Sequence, residues 1–318
     1  GSLGALPVDL LTPALEAEQP FYHRTDQHWT VDGSRLSAKA VARAIKGSER
    51  WKGTPRREHT TAYVRTEKGR APLAEALHET CGGKKLPPER YPVFETTAAP
   101  IEGLGLLDEV PPPPVVSLSS SFGRSVFNFN GFLAEYLGAE VVGVRVGAGG
   151  AIGAAFDYLH SADWRTAPSR FVVWEWLQVV LSQDASPNAE LSFGDADMYR
   201  ELIGAALGSC EKPSVQKRVR FDGTRQNLAA ELGSRGLRGP GGRIVLEMDA
   251  PLNELTLVSR YADGHVDRFT FSDYERVERN QRFYLELSDG SPAALLRVDA
   301  LTPDGTDVTG QLTICPGD

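Results

Sequence analysis

The residue types best suited to chemistry lie in the segment FYHRTDQHWT, residues 21–30. Asp26 and His28 are two positions apart, and in an extended segment residues i and i+2 project to the same side. The carboxylate would hydrogen-bond one imidazole nitrogen, which fixes the tautomer and leaves the other nitrogen free to act as a general base. Such a pair is also common in surface loops, so the chemistry requires a nucleophile nearby.

A serine-rich turn is the candidate source of that nucleophile. Ser119, Ser120 and Ser121 follow the apolar run Val115–Leu118 and precede a predicted helix. A turn between a strand and a helix exposes a hydroxyl at the carboxyl ends of the strands, where open α/β sheets bind ligands. Backbone N–H groups at the start of the next helix can hold an oxyanion. The alternative is a turn whose hydroxyls only cap the helix.

A glycine-rich turn, GAGGAIG at residues 147–153, lies between the next predicted strand and helix. It has neither the G-x-G-x-x-G pattern nor the lysine of a P-loop, which argues against nucleotide binding. The backbone N–H of Gly149 is a candidate oxyanion donor, and Arg124 and Arg145 are candidates for a polar contact with substrate.

Aromatic residues near these segments could pack in the core or stack on a ligand with an apolar face, such as the C–H face of a pyranose. Trp29 follows the Asp-His pair, and Trp176 lies at the end of a predicted strand. Both are candidates to stack on a sugar, whereas Trp174 is expected in the core.

The first half of the chain alternates strands and helices, which is typical of an α/β fold with a parallel sheet. A breaker-rich tract from Pro87 to Pro114 is predicted to be a connector. The elements predicted around it are helices at 34–45, 128–137 and 150–159 and strands at 115–118, 141–146 and 171–176.

The character of the sequence changes near residues 182–188, after which one helix (198–207) and several short strands are predicted. Turn signals such as Ala262-Asp263-Gly264 separate the strands, a pattern typical of a β-sandwich. We therefore predict an α/β domain over residues 1–185 and a small β-sandwich domain over residues 186–318. The predicted strands are 219–221, 243–248, 254–261, 266–271, 282–287 and 294–298.

Composition excludes several classes of protein. The 318 residues are 41% hydrophobic and 24% charged, as in ordinary globular proteins, and no apolar run is long enough to span a bilayer. A net charge of −8 argues against a general nucleic-acid binder. Eight basic and three acidic residues between Lys46 and Arg70 form a local exception that could contact an anionic polymer or be merely solvated.

The three cysteines do not form a metal motif, and the six histidines are scattered, so no metal site is predicted. Cys210 and Cys315 both fall in the second half and could form a disulfide there. The opening Gly1-Ser2 resembles a cloning scar, so we expect that a leader has been removed.

Taken together, the segments resemble the SGNH-like polysaccharide O-acetyltransferases of the alginate type, the AlgX/AlgJ group. The stretch YHRTDQHWTVDGSRLSAKAVARAI is similar to the D-x-H-W signature and helix of that group, in which the Asp-His pair precedes the nucleophile. The segments SSSFG, NFNGFL and VVWEW, together with the glycine-rich turn, are similar to its other landmarks. The resemblance implies an SGNH-hydrolase-like domain followed by a carbohydrate-binding-like β-domain.

The resemblance also implies roles for individual residues. Ser121 would be the nucleophile, His28 the base and Asp26 the residue that orients it, although Ser119, where the family usually has glycine, leaves Ser120 as an alternative nucleophile.

The implied function is O-acetylation of an exopolysaccharide through a serine acyl-enzyme. The alternatives are a carbohydrate esterase or deacetylase with the same triad, or a non-catalytic polysaccharide-binding scaffold. We expect no cofactor, a polysaccharide partner, an acetyl donor that a membrane acetyltransferase system could present, a monomer, and a periplasmic or otherwise extracytoplasmic location.

Overall fold

The structure, a computed structural model, describes residues 5–101, 111–145, 150–177, 196–223, 225–230, 242–252, 254–271, 281–287, 293–303 and 306–317. It divides into two compact units, Gly1–Ala155 with Ala167–Ser182, and Phe156–Thr166 with Gln183–Asp318. The predicted domain boundary between residues 185 and 186 lies outside the described residues.

The first unit contains a parallel sheet, a two-stranded antiparallel sheet and several helices. Its helices are α1 (Leu11–Leu15), α2 (Val31–Lys46), α3 (Pro72–Cys81), α4 (Phe129–Leu137) and the first part of α5 (Gly150–His160). Its strands are β1 (His59–Lys68), β2 (Arg90–Ala98), β3 (Val115–Ser119), β4 (Val141–Arg145) and β5 (Phe171–Trp174).

The parallel sheet has the strand order β4-β3-β5, so that β3 is central. All five residues of β3 are buried, as expected for a strand covered on both faces. The register pairs Ser119 with Arg145 on one side and Leu118 with Trp174 on the other. The carboxyl ends of the three strands therefore lie at one edge of the sheet, where Ser121 and Glu175 follow β3 and β5.

Helix α2 fixes the position of the Asp-His segment, because that segment leads directly into it. The helix begins at Val31, three residues before the predicted start, since the Thr30 side chain accepts a hydrogen bond from the Gly33 amide and caps the helix. A side chain at Gly33 would meet the Phe21 carbonyl oxygen at 2.2 Å, so glycine lets the segment lie against the first turn.

The sequence analysis did not predict the antiparallel pair of strands β1 and β2, nor helix α3 between them. Strand β2 lies inside the tract predicted as a connector, and nine of the ten residues of β1 are exposed or only partly buried, with no regular alternation. Antiparallel pairing runs from His59 opposite Ala98 to Lys68 opposite Arg90. Because so few residues of these strands are buried, their sequence shows little alternation of apolar and polar residues from which strands could be predicted.

The basic segment does not form a single patch. Lys52 pairs with Glu49 at 2.6 Å, Arg57 with Glu140 at 2.7 Å, and Arg65 with Glu67 at 2.6 Å. Several of its charges are therefore neutralised locally, and Lys68 and Arg70 are the members that line a cleft beside Asp26.

The second unit consists of two antiparallel four-stranded sheets and one long helix. The sheets have the orders β10-β9-β12-β7 and β11-β8-β13-β6. Its strands are β6 (Val215–Phe221), β7 (Gln226–Ala230), β8 (Arg243–Met248), β9 (Leu255–Tyr261), β10 (Val266–Phe271), β11 (Arg282–Glu286), β12 (Leu295–Leu301) and β13 (Val308–Cys315), and its helices are α6 (Ala162–Thr166) and α7 (Ala196–Leu207).

An apolar core from both sheets holds this unit together, with Leu246, Leu257, Leu285 and Leu312 almost completely buried. A disulfide joins Cys210 to Cys315 and closes a loop of 105 residues, as the sequence suggested. Cys81 is free and exposed.

Residues 156–166, which the sequence prediction placed in the first domain, group with the second unit. The reason is their packing: Leu159 lies against Ala205, Val245 and Tyr284. No helix within the described residues is long and apolar enough to cross a membrane.

Candidate active site

Three side chains from distant parts of the chain form a continuous hydrogen-bonded series. Asp26 Oδ1 lies 2.5 Å from His28 Nδ1, and His28 Nε2 lies 2.8 Å from Ser121 Oγ. Ser121 is 93 positions from His28 in sequence, so this meeting is a product of the fold. Both contacts are close enough for hydrogen bonding, so that a base can accept a proton from the hydroxyl and a carboxylate can orient the base.

The segment that carries Asp26 and His28 is a closed loop. Tyr22 and Trp29 form an antiparallel bridge, and the His23 amide donates to the His28 carbonyl at 3.0 Å. The His28 amide donates to Asp26 Oδ1 at 3.1 Å. Asp26 therefore binds both the backbone and the ring of His28, which sets the direction of the imidazole.

Aromatic rings surround the imidazole of His28. The Phe122 ring lies 4.8 Å and the Phe127 ring 5.4 Å from it, centroid to centroid. His28 is 6% exposed and Asp26 8% exposed. Exclusion of water strengthens the electrostatic interaction between the two groups.

The serine turn assigns different partners to its hydroxyl groups. The Ser120 hydroxyl donates to Glu175 Oε2 at 2.6 Å, and the Ser120 amide donates to the same oxygen at 2.8 Å. Ser119 lies 3.0 Å from Ser117, hydroxyl to hydroxyl, and is buried. Ser121 is thus the serine of this turn whose hydroxyl meets His28.

Glycine is required at position 123 of this turn. A Cβ there would lie 2.4 Å from the Ser119 Cβ, and no shift of a flexible side chain would relieve that contact. The close approach folds the turn back onto the end of β3 and directs Ser121 toward the loop with His28.

Glu175 is a member of the site that the sequence analysis did not single out. The sequence predicted a strand through Trp176, but β5 ends at Trp174, and Glu175 turns its side chain to Ser120. Withdrawal from water raises the pKa of Glu175, against the opposing effect of the Ser120 hydrogen bonds and of His28. The Trp-Glu pair after a strand was the available signal.

One backbone N–H of the serine turn is a candidate oxyanion donor. Within the described part of the chain, the Ser121 amide donates no hydrogen bond to the protein, whereas the Gly123 amide donates to the Ser120 carbonyl and the Arg124 amide to the Ser121 carbonyl. The other predicted donor, Gly149, lies outside the described residues.

The candidate sugar-stacking residues do not all reach the surface. Trp29 is 4% exposed, its indole N–H donates to the Phe122 carbonyl at 3.1 Å, and its ring stacks on Phe129. Trp29 therefore packs in the core, and its contact with substrate stays a prediction. Trp174, expected in the core, is instead 38% exposed, and its ring lies 5.0 Å from that of partly buried Trp176.

The two candidate arginines belong to different elements near the serine turn. Arg145 ends β4, and its Cδ would lie 3.9 Å from a Cβ at Gly123. Arg124 has its guanidinium 5.8 Å from the Phe127 ring and lines a cleft. The other residues that line this cleft are His23, Asp26, Glu67, Lys68, Gly69, Arg70, Glu89, Tyr91 and Phe127.

The described residues contain no group of three or more His, Cys, Asp or Glu side chains that could hold a metal ion.

Comparison with known proteins gives the family. Residues 2–178 match the family described as "SGNH hydrolase-like domain, acetyltransferase AlgX". The chain belongs to this AlgX family. Its fold is accordingly an SGNH hydrolase-like α/β unit with a parallel sheet, followed by a region of antiparallel sheets, as predicted.

Relatives in this family are proteins of alginate biosynthesis. The alginate biosynthesis protein AlgX of Pseudomonas syringae pv. tomato is 27% identical over 309 residues, 93% of this chain and 61% of that protein. The probable alginate O-acetylase AlgJ of Pseudomonas fluorescens is 30% identical over 195 residues, 59% of this chain and 48% of that protein. The chain thus spans about three fifths of the length of the AlgX relative.

The solved structure of AlgX from Pseudomonas aeruginosa has the same fold. It aligns with a TM-score of 0.69 at 20% sequence identity and covers 95% of this chain and 70% of that chain. The likeness extends through both units of this AlgX family member, including the antiparallel sheets that lie beyond the residues matched by the family.

Proposed function

We propose that this chain is an O-acetyltransferase that moves an acetyl group through a Ser121 acyl-enzyme onto hydroxyl groups of an exopolysaccharide. The observation that carries the proposal is the series Asp26–His28–Ser121, with contacts of 2.5 Å and 2.8 Å. Membership of the AlgX family and the names of its relatives, which include an alginate O-acetylase, support acetyl transfer and an alginate-type polymer as acceptor.

In the first half of the reaction, His28 Nε2 takes the proton from Ser121 Oγ as the oxygen attacks the acetyl carbonyl of the donor. The tetrahedral oxyanion is held by backbone N–H groups, with the Ser121 amide as one donor. Asp26 stabilises the imidazolium through Nδ1. Collapse expels the donor's leaving group, which takes the proton from His28, and leaves acetyl-Ser121.

In the second half, His28 accepts a proton from a sugar hydroxyl, whose oxygen attacks the acetyl carbon. Collapse returns the proton to Ser121 and releases the acetylated sugar. Water in place of the sugar would give hydrolysis, so transfer depends on an acceptor that is oriented beside Ser121 and excludes water. The cleft beside Asp26 is lined by Lys68, Arg70 and Arg124 as well as by Glu67 and Glu89, so it offers both cationic and anionic groups to the hydroxyl and charged groups of an acceptor. No cofactor is needed for these steps.

The second unit is proposed to bind carbohydrate through the outer face of the sheet β10-β9-β12-β7. Arg268, Arg260 and Arg297 share that face, because Arg260 lies opposite Arg297 and Arg268 is in register with Asp299 across β9. Their exposed guanidinium groups supply positive charge to an anionic polymer, whereas Asp299 beneath them is completely buried.

We further propose a periplasmic or otherwise extracytoplasmic location and an acetyl donor presented by a membrane acetyltransferase system. The disulfide Cys210–Cys315 supports the location, because structural disulfides persist mainly in oxidising compartments.

The test is turnover of a chromogenic acetyl ester, with and without alginate oligosaccharides. We expect Ser121→Ala and His28→Ala to lower release by at least about 1,000-fold, because a triad loses most of its rate when either group is removed. Ser120→Ala serves as the matched control and should retain far more activity. Acetyl groups should appear on the sugar, and Arg260→Gln with Arg268→Gln should weaken transfer to polymer without changing ester release.

Release of acetyl to water alone, with no acetylated sugar, would favour the esterase alternative. Turnover that survives Ser121→Ala in folded protein would refute the proposed nucleophile, and no turnover by folded wild-type protein would favour the scaffold alternative.

A further inference from the structure

One carboxylate attaches the loop that carries Asp26 and His28 to a distant part of the first unit. Glu89 lies immediately before β2, and its Oε2 accepts hydrogen bonds from the Arg24 amide at 2.8 Å and the Thr25 amide at 2.9 Å. The Thr25 hydroxyl donates to the same oxygen at 3.0 Å. Three donors from the two residues that precede Asp26 thus meet at one oxygen.

Glu89 is itself held in place by the backbone. The Gly69 amide donates to the Glu89 carbonyl at 2.8 Å, and the Leu73 amide donates to the Thr25 carbonyl at 3.1 Å. The loop is therefore tied from both sides to the segment between β1 and β2. Two successive peptide planes before Asp26 are fixed by these contacts, which leaves that stretch little freedom to rotate.

Glu89 is an anion whose charge is met mainly by N–H and O–H donors. Although burial opposes ionisation, the hydrogen bonds from Thr25 and Arg24, together with His23, hold the pKa of Glu89 below its ordinary value. The side chain of His23 is 7% exposed and its Nδ1 lies 3.8 Å from Glu89, while burial lowers the pKa of His23. Hydrogen bonds to an ionised acceptor are shorter and stronger than neutral ones, so the attachment is firm.

We propose that Glu89 is a positioning residue that keeps Asp26 and His28 in line with Ser121. It contacts none of these three side chains and acts through the backbone of residues 24 and 25. The inference rests on the proposed function, because it assigns Glu89 a role in the same reaction. A displacement of about 1 Å in a catalytic group is enough to cost on the order of 100-fold in rate, so loop position is decisive.

The test compares Glu89→Ala with Glu89→Gln and with Glu95→Ala, a matched control in which an exposed carboxylate of β2 is removed. We expect Glu89→Ala to lower kcat for the chromogenic ester by about 10- to 100-fold, with KM within about 2-fold, because the chemistry is misaligned while the binding surface stays. Glu89→Gln should recover most of kcat, since its carbonyl oxygen still accepts the amide donors. Glu95→Ala should match wild type.

A second readout separates positioning from general stability. The proton between His28 Nδ1 and Asp26 gives a low-field NMR resonance, which should broaden or vanish in Glu89→Ala and persist in Glu89→Gln and Glu95→Ala. A folded Glu89→Ala with wild-type kcat and an unchanged resonance would overturn the proposal. If Glu89→Ala does not fold, Thr25→Val, which removes one of the three donors, must give a smaller loss of kcat, and wild-type kcat in that variant would overturn it equally.

Failure of the proposed function would look different. If Ser121→Ala kept its turnover, the acyl-enzyme would be refuted, but the low-field resonance would still report whether Glu89 positions Asp26 and His28.

Discussion

Glu175 in the first unit and Asp299 in the second are both carboxylates withdrawn from water, but their partners differ in charge. Glu175 binds the amide and hydroxyl of Ser120, both neutral groups. Asp299 binds Arg225 at 2.7 Å and Arg297 at 2.5 Å, with Arg260 at 3.7 Å. Burial raises the pKa of Glu175, whereas for Asp299 burial is outweighed by the arginines and the pKa is lowered.

The difference fits the role proposed for each unit. Near Ser121, a carboxylate that bonds to neutral groups fixes the geometry of the turn without placing a compensating cation beside the nucleophile. On the sheet of the second unit, the buried anion instead holds three cations at the surface, where they can contact a ligand. Burial of Glu175 therefore lowers the stability of the first unit while it orders the site. In the second unit, the apolar core and the disulfide stabilise the fold that carries the charged face.

The largest effect that separates the two units should come from the disulfide. Cys210→Ser with Cys315→Ser opens a loop of 105 residues, and loop-closure entropy predicts a loss of about 4.7 kcal/mol. Denaturant unfolding measures this loss, and hydrogen-exchange mass spectrometry should localise it to the second unit. Ester turnover in the absence of denaturant should stay close to wild type. Cys81→Ser, at the free and exposed cysteine, is the control and should change neither quantity. An equal loss of hydrogen-exchange protection in residues 21–30 would contradict the prediction that the disulfide stabilises the second unit and not the first.

The next effect should appear at Glu175 and concern rate more than stability. Glu175→Ala leaves the Ser120 amide and hydroxyl without their acceptor, so the turn before Ser121 loosens, and we expect kcat to fall on the order of 100-fold. Glu175→Gln preserves an acceptor oxygen and should retain most of kcat, since the charge itself is not required.

Steady-state turnover of the chromogenic ester measures this effect, with Glu140→Gln, an acid that pairs with Arg57 at 2.7 Å, as a control that should stay near wild type. A Glu175→Gln variant as impaired as Glu175→Ala would show that the charge matters, and the contrast with Asp299 would then fail.

Much of this arrangement could be predicted from sequence, because the relevant elements have strong local signals. The buried run at β3, the helix after Thr30 and strands such as β8 and β10 are periodic or apolar segments bounded by turn residues. Asp26, His28 and Ser121 were identified because their types and the turn at Ser119–Ser121 suit the chemistry, and the family resemblance set their order.

Other features could not be predicted, since they depend on contacts between distant residues. Glu89 lies 64 positions from Thr25 in a segment without periodicity, and Glu175 was hidden in a predicted strand. Burial of Trp29 between Phe122 and Phe129 is likewise a tertiary contact, so the sequence offered no means to distinguish it from a surface tryptophan. Strands β7 and β13 were missed as well, because β7 (QNLAA) has few strand-forming residues and β13 (VTGQLTIC) is interrupted by a glycine and a glutamine.

The smallest effect should be a pair of pH dependences with opposite signs. The folded pKa of Glu175 is raised above its ordinary value of 4.5, so its contribution to stability is complete below that value and is lost as pH rises through the folded pKa. The folded pKa of Asp299 is lowered below 3.8, so its contribution is present above that value and is lost as pH falls through the folded pKa.

Thermal melts of Glu175→Gln and Asp299→Asn across pH 3 to 8 measure these contributions. Relative to wild type, Glu175→Gln should gain a few degrees in Tm toward neutral pH, and Asp299→Asn should lose a few degrees there. Both differences should shrink in acid. The expected size follows because each kcal/mol shifts Tm by about 2–4 °C in a domain of about 150–250 residues. Glu95→Gln, at an exposed position, controls for the loss of one negative charge. The prediction is that ionised Glu175, with neutral partners, lowers the stability at neutral pH, whereas ionised Asp299, with arginine partners, raises it. A shift of Tm in the same direction for both variants at neutral pH would contradict it.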